Sequence, residues 1–203
     1  MPRTLQQNKI IKDKRRNEIL NAALELFVKN GFDTVSMDDI AKKIKCSHGL
    51  IYHYYTNKKD ILVDLGRQSH DVIGIDYNSI INLPISFFDK YLKIQEYLLD
   101  IISSNNLKRY YLFLFLTLPL NKSLSEDLIQ PTLRFEVKLT KIIRECQKEG
   151  HFLNIEPKEL IILHLNYFIG LLYSTIKCPE IAKKINSNEL VKIIARWWKI
   201  WKN

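Results

Sequence analysis

Apolar residues recur every three or four positions along most of this chain, and no segment alternates convincingly between apolar and polar residues. A spacing of three and four places apolar side chains on one face of an α-helix, whereas alternation would indicate a half-buried strand. The six glycines and six prolines punctuate the periodic segments rather than pervading them. The sequence therefore predicts an all-α fold.

Four helices with recognisable ends are predicted in the front part of the chain. Gly31 ends the first, because a left-handed residue costs little at a helix C-terminus when it is glycine. Ser36 with Asp39 has the form of a capping box, Ser47 is a good N-cap for the third helix, and Asn57 caps the fourth. These helices are predicted over residues 12–30, 36–44, 47–55 and about 58–74.

The chain then reads as irregular from Gly74 to Pro84, and longer apolar helices follow. Ser123 and Asn186 each precede a glutamate by three residues, as at a helix start, and Pro157 suits a first helical turn. The predicted helices cover residues 86–103, 106–118, 124–149, 157–177 and 187–202. With about nine helices, the chain divides into an arm at 1–11, a three-helix domain at 12–65 and a larger helical domain at 66–203.

Composition adds a preference for polyanionic partners. Hydrophobic residues make up 46% of the 203 residues, enough for a real core, and the formal net charge is +9. Such a charge favours nucleic acid as a partner without specifying a fold. Six basic residues lie within residues 1–16, and residues 1–11 are interpreted as a flexible basic arm; a solvated tail without a binding role is the alternative.

Cysteine usage and the N-terminus indicate a cytoplasmic protein. Three widely spaced cysteines without a C-x-x-C pair predict neither a disulfide framework nor a zinc site. The polar N-terminus lacks the apolar stretch of a signal peptide. The longest apolar run, Tyr110 to Leu118, is too short to cross a bilayer, so no membrane association is expected.

The third predicted helix has two chemically different faces. Ile51 and Tyr55 lie four residues apart and are expected to point into a small core, while His48 and Tyr52 lie on the opposite face. Gly49 and His53 flank this outer face. Two short helices joined by a tight break, behind a longer supporting helix, suit presentation of one helix to the major groove of DNA.

The segment from Thr34 to Leu62 resembles the DNA-binding domain of TetR-family regulators, and the resemblance extends over about residues 12–65. The family pattern is filled at many positions in order, so the resemblance is specific. Tyr55 stands where phenylalanine is usual and Cys46 where valine is usual. The matching positions are Thr34-Val35, Ile40-Ala41, Ser47, Gly49, Ile51-Tyr52, Lys58, Asp60 and Leu62.

The resemblance implies roles for individual residues on double-stranded DNA. Tyr52 and Lys58 are expected to hold backbone phosphates, which position a protein without reading sequence. His48 and His53 are the expected base readers. The Ser36 hydroxyl could cap its helix and also meet a phosphate, although capping alone explains the residue. The predicted DNA-binding residues are Ser36, Ser47, His48, Gly49, Tyr52, His53 and Lys58.

The last two long helices resemble the family layout for dimerisation. Both are apolar over more than one stripe, and a monomer rarely exposes so large an apolar area. A two-fold dimer would match an inverted-repeat operator. The alternative is that these helices are simply buried in their own domain. The predicted interface residues are Leu163, Phe168, Leu171, Ile194, Trp197, Trp198 and Trp201.

The middle of the chain is rich in aromatic residues, which predicts either an apolar pocket for a small effector or ordinary core packing. The candidate pocket residues are Phe88, Tyr91, Tyr110, Phe113, Phe135 and Tyr167. No cofactor or metal is expected. No glycine-rich phosphate loop, H-E-x-x-H motif or nucleophile elbow supports an enzyme.

The favoured function is a repressor released from a palindromic operator by a small apolar or aromatic effector. The alternative is an architectural or cell-division DNA-binding protein that senses no ligand.

Overall fold

The computed structural model describes residues 5–104, 106–121 and 124–200 of the protein, apart from the side chains of residues 5, 74–76 and 197–200. Within these ranges the chain forms ten α-helices and one short 3-10 helix, and no strand. The all-α prediction is therefore confirmed. The elements are α1 (Leu5–Asn30), α2 (Met37–Lys43), α3 (His48–Tyr54), α4 (Lys58–Ile81), α5 (Phe87–Ser103), α6 (Asn106–Thr117), the 3-10 helix (Leu118–Leu120), α7 (Glu126–Lys148), α8 (Pro157–Lys177), α9 (Pro179–Lys183) and α10 (Ser187–Ile200).

The chain divides into two compact units, Met1–Gln68 and Ser69–Asn203, which we call the first and the second unit. The division falls within α4, close to the predicted boundary after residue 65. Each unit buries apolar side chains of its own, so each has a separate core.

A small core holds the first unit together, and its helix ends follow the sequence signals. Its buried side chains include Ile19, Ala23, Phe27, Ile40, Ile51 and Leu65. The capping box of α2 is present, because Ser36 Oγ accepts from the Asp39 amide and the Asp39 carboxylate accepts from the Ser36 amide. Asn57 Oδ1 accepts from the amides of Lys59 and Asp60 at 2.9 and 3.0 Å. These caps satisfy amides that have no partner within the helix.

Helix α1 begins earlier than predicted. It starts at Leu5 rather than near Lys12, so residues 5–11 of the predicted flexible arm are helical. Residues 6–14 are exposed, and this stretch contains neither glycine nor proline. Because lysine and glutamine favour the helix, the helix continues beyond its packed part.

Helix α4 continues through the segment predicted to be irregular. It extends to Ile81, past Gly74, where the sequence indicated a break. An interior glycine costs only about 1 kcal/mol relative to alanine. Ile73 and Tyr77 are both buried in the second unit and anchor the helix on either side of that glycine.

Two short elements of the second unit were not predicted, the 3-10 helix at Leu118–Leu120 and α9 at Pro179–Lys183. Both have proline in the first turn, where its missing amide costs nothing. Helix α7 begins at Glu126 with Ser125 as its N-cap, whereas the predicted start at Ser123 lies outside the described residues. Helix α10 begins after Asn186, as predicted.

Helix α8 is long and apolar enough to cross a membrane by length and composition. Within the second unit it packs instead against α6 and α7, and Phe168 and Leu172 are fully buried. Arg109 of α6 donates to the carbonyls of Thr175, near the end of α8, and Ser104, after α5, at 3.1 and 2.8 Å. Core packing accounts for the apolar character of its inner face.

Candidate nucleic-acid interface and ligand pocket

The turn between α2 and α3 is closed by backbone hydrogen bonds. The Cys46 amide donates to Ala41 O at 3.1 Å and the Lys45 amide to Lys42 O at 3.2 Å, the pattern of a Schellman motif. Lys45 occupies the left-handed position with a φ of 53°, which is usually taken by glycine. The motif ends α2 abruptly and lets α3 begin within a few residues.

The two faces of α3 are as the sequence predicts. Ile51 is fully buried, and Tyr55, the C-cap residue of α3, is also buried. On the other face, His48, Gly49 and His53 are exposed, and Tyr52 is 46% exposed. A Cβ added to Gly49 would meet no atom within 4 Å, so packing within the protein does not require glycine there. The outer face of α3 therefore offers a phenol, two imidazoles and a bare backbone to a partner.

His48 is engaged by a neighbouring helix. Its Nε2 lies 3.0 Å from Oδ1 of Asp38 on α2, and its ring centroid is 4.5 Å from that of Tyr52. Both partners of the His48–Asp38 contact are exposed, so the contact orients the imidazole more than it stabilises the fold. The expected role of His48 as a base reader stays a prediction.

The two serines at helix starts differ in how their hydroxyls are used. Ser36 Oγ accepts from the Asp39 amide and lies 2.6 Å from the Asp39 carboxylate, so capping accounts for it. Ser47 occupies the N-cap position of α3, but its side chain makes no capping hydrogen bond. The exposed Ser47 hydroxyl at a helix N-terminus is therefore better placed for a phosphate than Ser36.

Lys58 has a structural role that the sequence did not predict. Its Nζ donates to the carbonyls of Phe32, Asp33 and Val35 at 2.8, 3.0 and 3.0 Å, and it lies 4.6 Å from the Phe32 ring centroid. An ammonium has three N–H donors, and these three carbonyls match that number. Lys58 thus fastens the loop after α1 to the start of α4. A phosphate contact would require it to give up at least one of these bonds, and that contact stays a prediction.

The hydroxyl that distinguishes Tyr55 from phenylalanine has two partners. Arg16 Nε donates to Tyr55 Oη at 3.0 Å, and Tyr55 Oη donates to Asp64 at 2.9 Å, while Arg16 also pairs with Asp64. Burial raises the pKa of Tyr55 to about 12, so it stays a neutral donor. The network joins α1, the end of α3 and α4, and it braces the first unit behind the exposed face.

Several predicted pocket residues of the second unit pack into clusters of aromatic side chains. Tyr91 is fully buried, with its ring 4.8 Å from that of Phe152, and Phe88 stacks on His151 at 4.2 Å. Phe135 belongs to another cluster, with Tyr77 and Phe115. Three of the six candidate pocket residues are buried, and core packing, the alternative interpretation, accounts for them. Tyr91, Tyr110 and Phe135 are buried, while Phe88, Phe113 and Tyr167 are half-buried.

A pocket of about 200 Å³ lies elsewhere in the second unit, between α4, α6 and α7. None of the six predicted pocket residues lines it, so their role in ligand binding stays a prediction. The position of this pocket depends on three helices that are distant in sequence. Within one helix, the sequence offers only Arg134 and Lys138, one turn apart after Pro131, as an indication of a binding site. The lining residues are His70, Tyr77, Asn78, Phe115, Pro131, Arg134 and Lys138.

The predicted interface residues separate into exposed and buried groups. Leu163 is 60% exposed on α8, beside Ile162 at 58%, and Tyr173 of the same helix is 53% exposed. Phe168 and Ile194 are buried inside the second unit, because they lie on the inward stripe of their helices. Their place in a dimer interface stays a prediction. Leu171 is half-buried. The side chains of Trp197, Trp198 and Trp201 lie outside the described residues.

Comparison with known proteins finds transcriptional regulators. A family described as bacterial regulatory proteins, tetR family, matches residues 19–65. The HTH-type transcriptional regulator SrpR of Pseudomonas putida is 21% identical over 170 residues, which are 83% of this chain and 78% of SrpR. Several further curated regulators are matched over only about a quarter of their own length.

Solved structures share the fold over nearly the whole chain. The MbdR regulator from Azoarcus sp. CIB superposes with a TM-score of 0.70 at 22% identity, covering 88% of this chain and 94% of MbdR. AibR, in a complex with isovaleryl coenzyme A and operator DNA, superposes with a TM-score of 0.68 at 14% identity, covering 89% and 96%. At these identities the likeness concerns the fold.

Proposed function

Because this chain belongs to the TetR family of bacterial regulatory proteins, we propose that it represses transcription from an inverted-repeat operator, to which it binds as a homodimer, and that a small molecule bound in the second unit releases it. It is a DNA-binding transcription regulator. We place its action in the cytoplasm, where bacterial DNA lies, and assign it no catalytic step.

The observation that carries the DNA-binding role is the outer face of α3. His48, Tyr52 and His53 are exposed on a helix whose opposite side is anchored by the fully buried Ile51, so the face is presented rigidly. Gly49 has open space around it and permits close approach of the sugar–phosphate backbone. The net charge of +9 favours the same partner.

A selection experiment tests the DNA-binding role. Fragments retained by the protein from a random DNA library should converge on an inverted repeat, because two identical reading helices need two identical half-sites. Alanine at His48, Tyr52 and His53 together should weaken binding to the selected repeat at least tenfold. The matched control replaces the exposed Lys141 and Arg144 of α7 with alanine. Unchanged affinity in the triple variant would contradict the role of α3.

Homodimerisation is supported by the exposed side of α8. Ile162, Leu163 and Tyr173 are large apolar residues left in solvent on one helix. Gly170 is also exposed, and a Cβ added there would meet no atom within 4 Å, so a second helix could approach closely. A two-fold contact would pair this surface with itself.

Sedimentation tests the dimer. Replacing Ile162 and Leu163 with glutamate should shift the protein to monomer at micromolar concentration, because four charges would then face one another across a two-fold contact. Lys141→Glu, at an exposed position of α7 away from this helix, is the control and should leave the dimer intact. A double variant that stays dimeric would place the interface elsewhere.

Release by an effector is supported by the pocket of the second unit, whose walls include His70 and Tyr77 of α4. Residues 58–68 of this helix belong to the first unit, so one continuous helix carries two residues of the pocket wall and also part of the first unit. A ligand acts by binding one arrangement better than another, and a coupling of about 1–3 kcal/mol would weaken DNA binding by roughly 5–150-fold.

A further inference from the structure

The pocket of the second unit combines an apolar base with a basic rim. Tyr77 of α4 and Phe115 of α6 are both buried, and Pro131 of α7 contributes a third apolar wall. Arg134 and Lys138 follow Pro131 on the same helix and are exposed where the pocket meets solvent. No aspartate or glutamate is among the described residues that line the pocket.

The basic groups are held near the pocket without a carboxylate partner. Lys138 Nζ donates to Asn78 Oδ1 at 2.6 Å and lies 5.6 Å from the Tyr77 ring centroid, so a neutral amide and an aromatic face position it. Across the described parts of the chain, Arg134 forms no ion pair within 4.0 Å. Neither positive charge is therefore neutralised by an acid of the described residues at bonding distance.

His70 adds a polar group deeper in the same pocket. Its Nε2 is buried and has no hydrogen-bond partner among the described residues, and its ring lies edge-on to Phe115, with centroids 5.9 Å apart. Burial lowers the pKa of His70, while the charge of Asp71 raises it and that of Arg134 lowers it. A buried polar atom without a partner is costly, and a turn of the ring toward a ligand acceptor or donor would remove that cost.

We propose that this pocket takes a small organic anion, an aromatic or short aliphatic carboxylate, as the effector of the protein. Arg134 and Lys138 bind the carboxylate, and the carbon skeleton lies against Tyr77, Phe115 and Pro131. His70 contributes a hydrogen bond once its ring turns toward the ligand. Guanidinium groups recognise carboxylates with two parallel hydrogen bonds. The proposal rests on the proposed function, since it names the chemical class of the effector for that function.

The size of the pocket restricts the ligand further. Its volume of about 200 Å³ lies below the roughly 300–1,000 Å³ of pockets for drug-sized molecules. A compact single-ring acid fits this limit better than a large conjugate. Phosphate monoesters present the same kind of anionic oxygens, so the experiment must separate the two head groups.

The test uses the full-length protein and four probes: benzoate, hexanoate, phenyl phosphate and the neutral isostere benzamide. Binding is measured by ligand-observed NMR and by thermal shift at millimolar probe concentrations. We expect benzoate or hexanoate to bind at least tenfold more tightly than benzamide. Tighter binding of phenyl phosphate would replace the carboxylate by a phosphate and overturn the assignment. Equal binding of benzoate and benzamide, or binding of no probe, would also overturn it.

Variants assign the effect to the pocket. Arg134→Gln should weaken carboxylate binding about tenfold or more, and Arg134→Lys should restore part of it, because the charge returns without the paired N–H donors. Arg144→Gln makes the same charge change on an exposed position of α7 outside the pocket and should leave binding unchanged. An equal loss of carboxylate affinity in the Arg134 and Arg144 variants would show that only the net charge of the protein matters, and it would overturn the proposal.

A DNA-binding measurement separates this inference from the proposed function. If the carboxylate binds through Arg134 but leaves operator affinity unchanged, the pocket assignment stands and the effector role fails. If DNA is released by neutral compounds and Arg134→Gln does not alter that release, the proposed function stands and the anionic ligand class fails.

Discussion

In the first unit, Lys58 and Tyr55 are fully paired with partners inside the protein, whereas four buried polar atoms of the second unit have no hydrogen-bond partner among the described residues. Lys58 binds three carbonyls and Tyr55 bonds to both Arg16 and Asp64. The buried side-chain atoms without a hydrogen-bond partner, among the described residues, all belong to the second unit. They are His70 Nε2, Gln95 Oε1, Arg109 Nε and His164 Nε2.

This difference suits DNA binding by the first unit and a response to a ligand by the second unit. A unit that binds DNA must present one rigid face, and a fully paired hydrogen-bond network holds the small core of the first unit in one arrangement. An unpaired buried polar atom costs about 1–3 kcal/mol, which lowers the stability of the arrangement that contains it. The second unit can therefore gain from a ligand or a change of packing, whereas the first unit would lose bonds by changing.

The largest effect is expected from removing the Lys58 ammonium. Lys58→Met keeps an unbranched side chain but leaves three carbonyls without their donor, so local unfolding of the first unit should become easier by about 3 kcal/mol. Hydrogen exchange of amides in residues 19–65 measures this. Lys59→Met, at the exposed neighbouring position, should have no such effect. Equal protection in both variants would remove the assigned role of Lys58.

The buried imidazole of His164 should make the second unit sensitive to acid. Burial lowers its pKa from 6.5 to about 3. Between these two pH values, His164 binds a proton in the unfolded chain but not in the folded protein. The penalty is absent above pH 6.5 and grows to about 2 kcal/mol at pH 5, since one pKa unit corresponds to 1.36 kcal/mol.

His164→Phe should therefore reduce the loss of stability between pH 7 and pH 5, measured by urea unfolding at each pH. His70, whose pKa burial also lowers, remains in this variant, so part of the dependence should persist. His53→Phe, at an exposed position of the first unit, controls for loss of a histidine. A pH dependence identical to that of the unaltered protein would contradict the burial of His164.

A smaller effect should follow from removing one hydroxyl of the first unit. Tyr55→Phe deletes the group that bonds to Arg16 and Asp64 but preserves the ring in the core and the Arg16–Asp64 pair. Stability of the first unit should fall by about 1 kcal/mol. Hydrogen exchange measures the change, and a variant at least as stable as the original would show that the Tyr55 hydroxyl contributes nothing to stability.

The smallest effect concerns the turn before α3. Lys45→Gly should stabilise the first unit by about 0.5 kcal/mol, because glycine adopts the left-handed conformation without the Cβ penalty but gains freedom in the unfolded chain. Lys45→Ala, which keeps the penalty, is the matched control for loss of the charge. If both variants had the same stability, the left-handed conformation would carry no measurable cost.

Much of the reading unit follows from short-range sequence signals. The spacing of Ile51 and Tyr55 against His48 and Tyr52 predicts which side of α3 is buried, because helical geometry alone places residues four apart on one face. The caps at Ser36 and Asn57 depend on residues within three positions. In contrast, Lys58 reaches carbonyls more than twenty positions away, and no local pattern indicates that contact.

The ligand pocket was not predictable in the same way. Aromatic content suggested Phe88, Tyr91 and four other residues, yet side-chain type does not distinguish a core position from a cavity wall. The observed pocket brings His70, Phe115 and Arg134 together from three helices. Its position depends on how those helices pack, and the proline and basic residues of α7 gain their meaning only beside α4 and α6.

The sequence by itself determined the helical class, the order of the long helices and the two-sided chemistry of α3, since each depends on residue spacing within a few turns. Tertiary structure decided that α4 continues through Gly74, that Phe168 and Ile194 turn inward while Leu163 stays exposed, and where the pocket lies. Local periodicity defines faces, but only packing between distant segments decides which face is covered, and the free energy of that burial exceeds the small preference of any single residue.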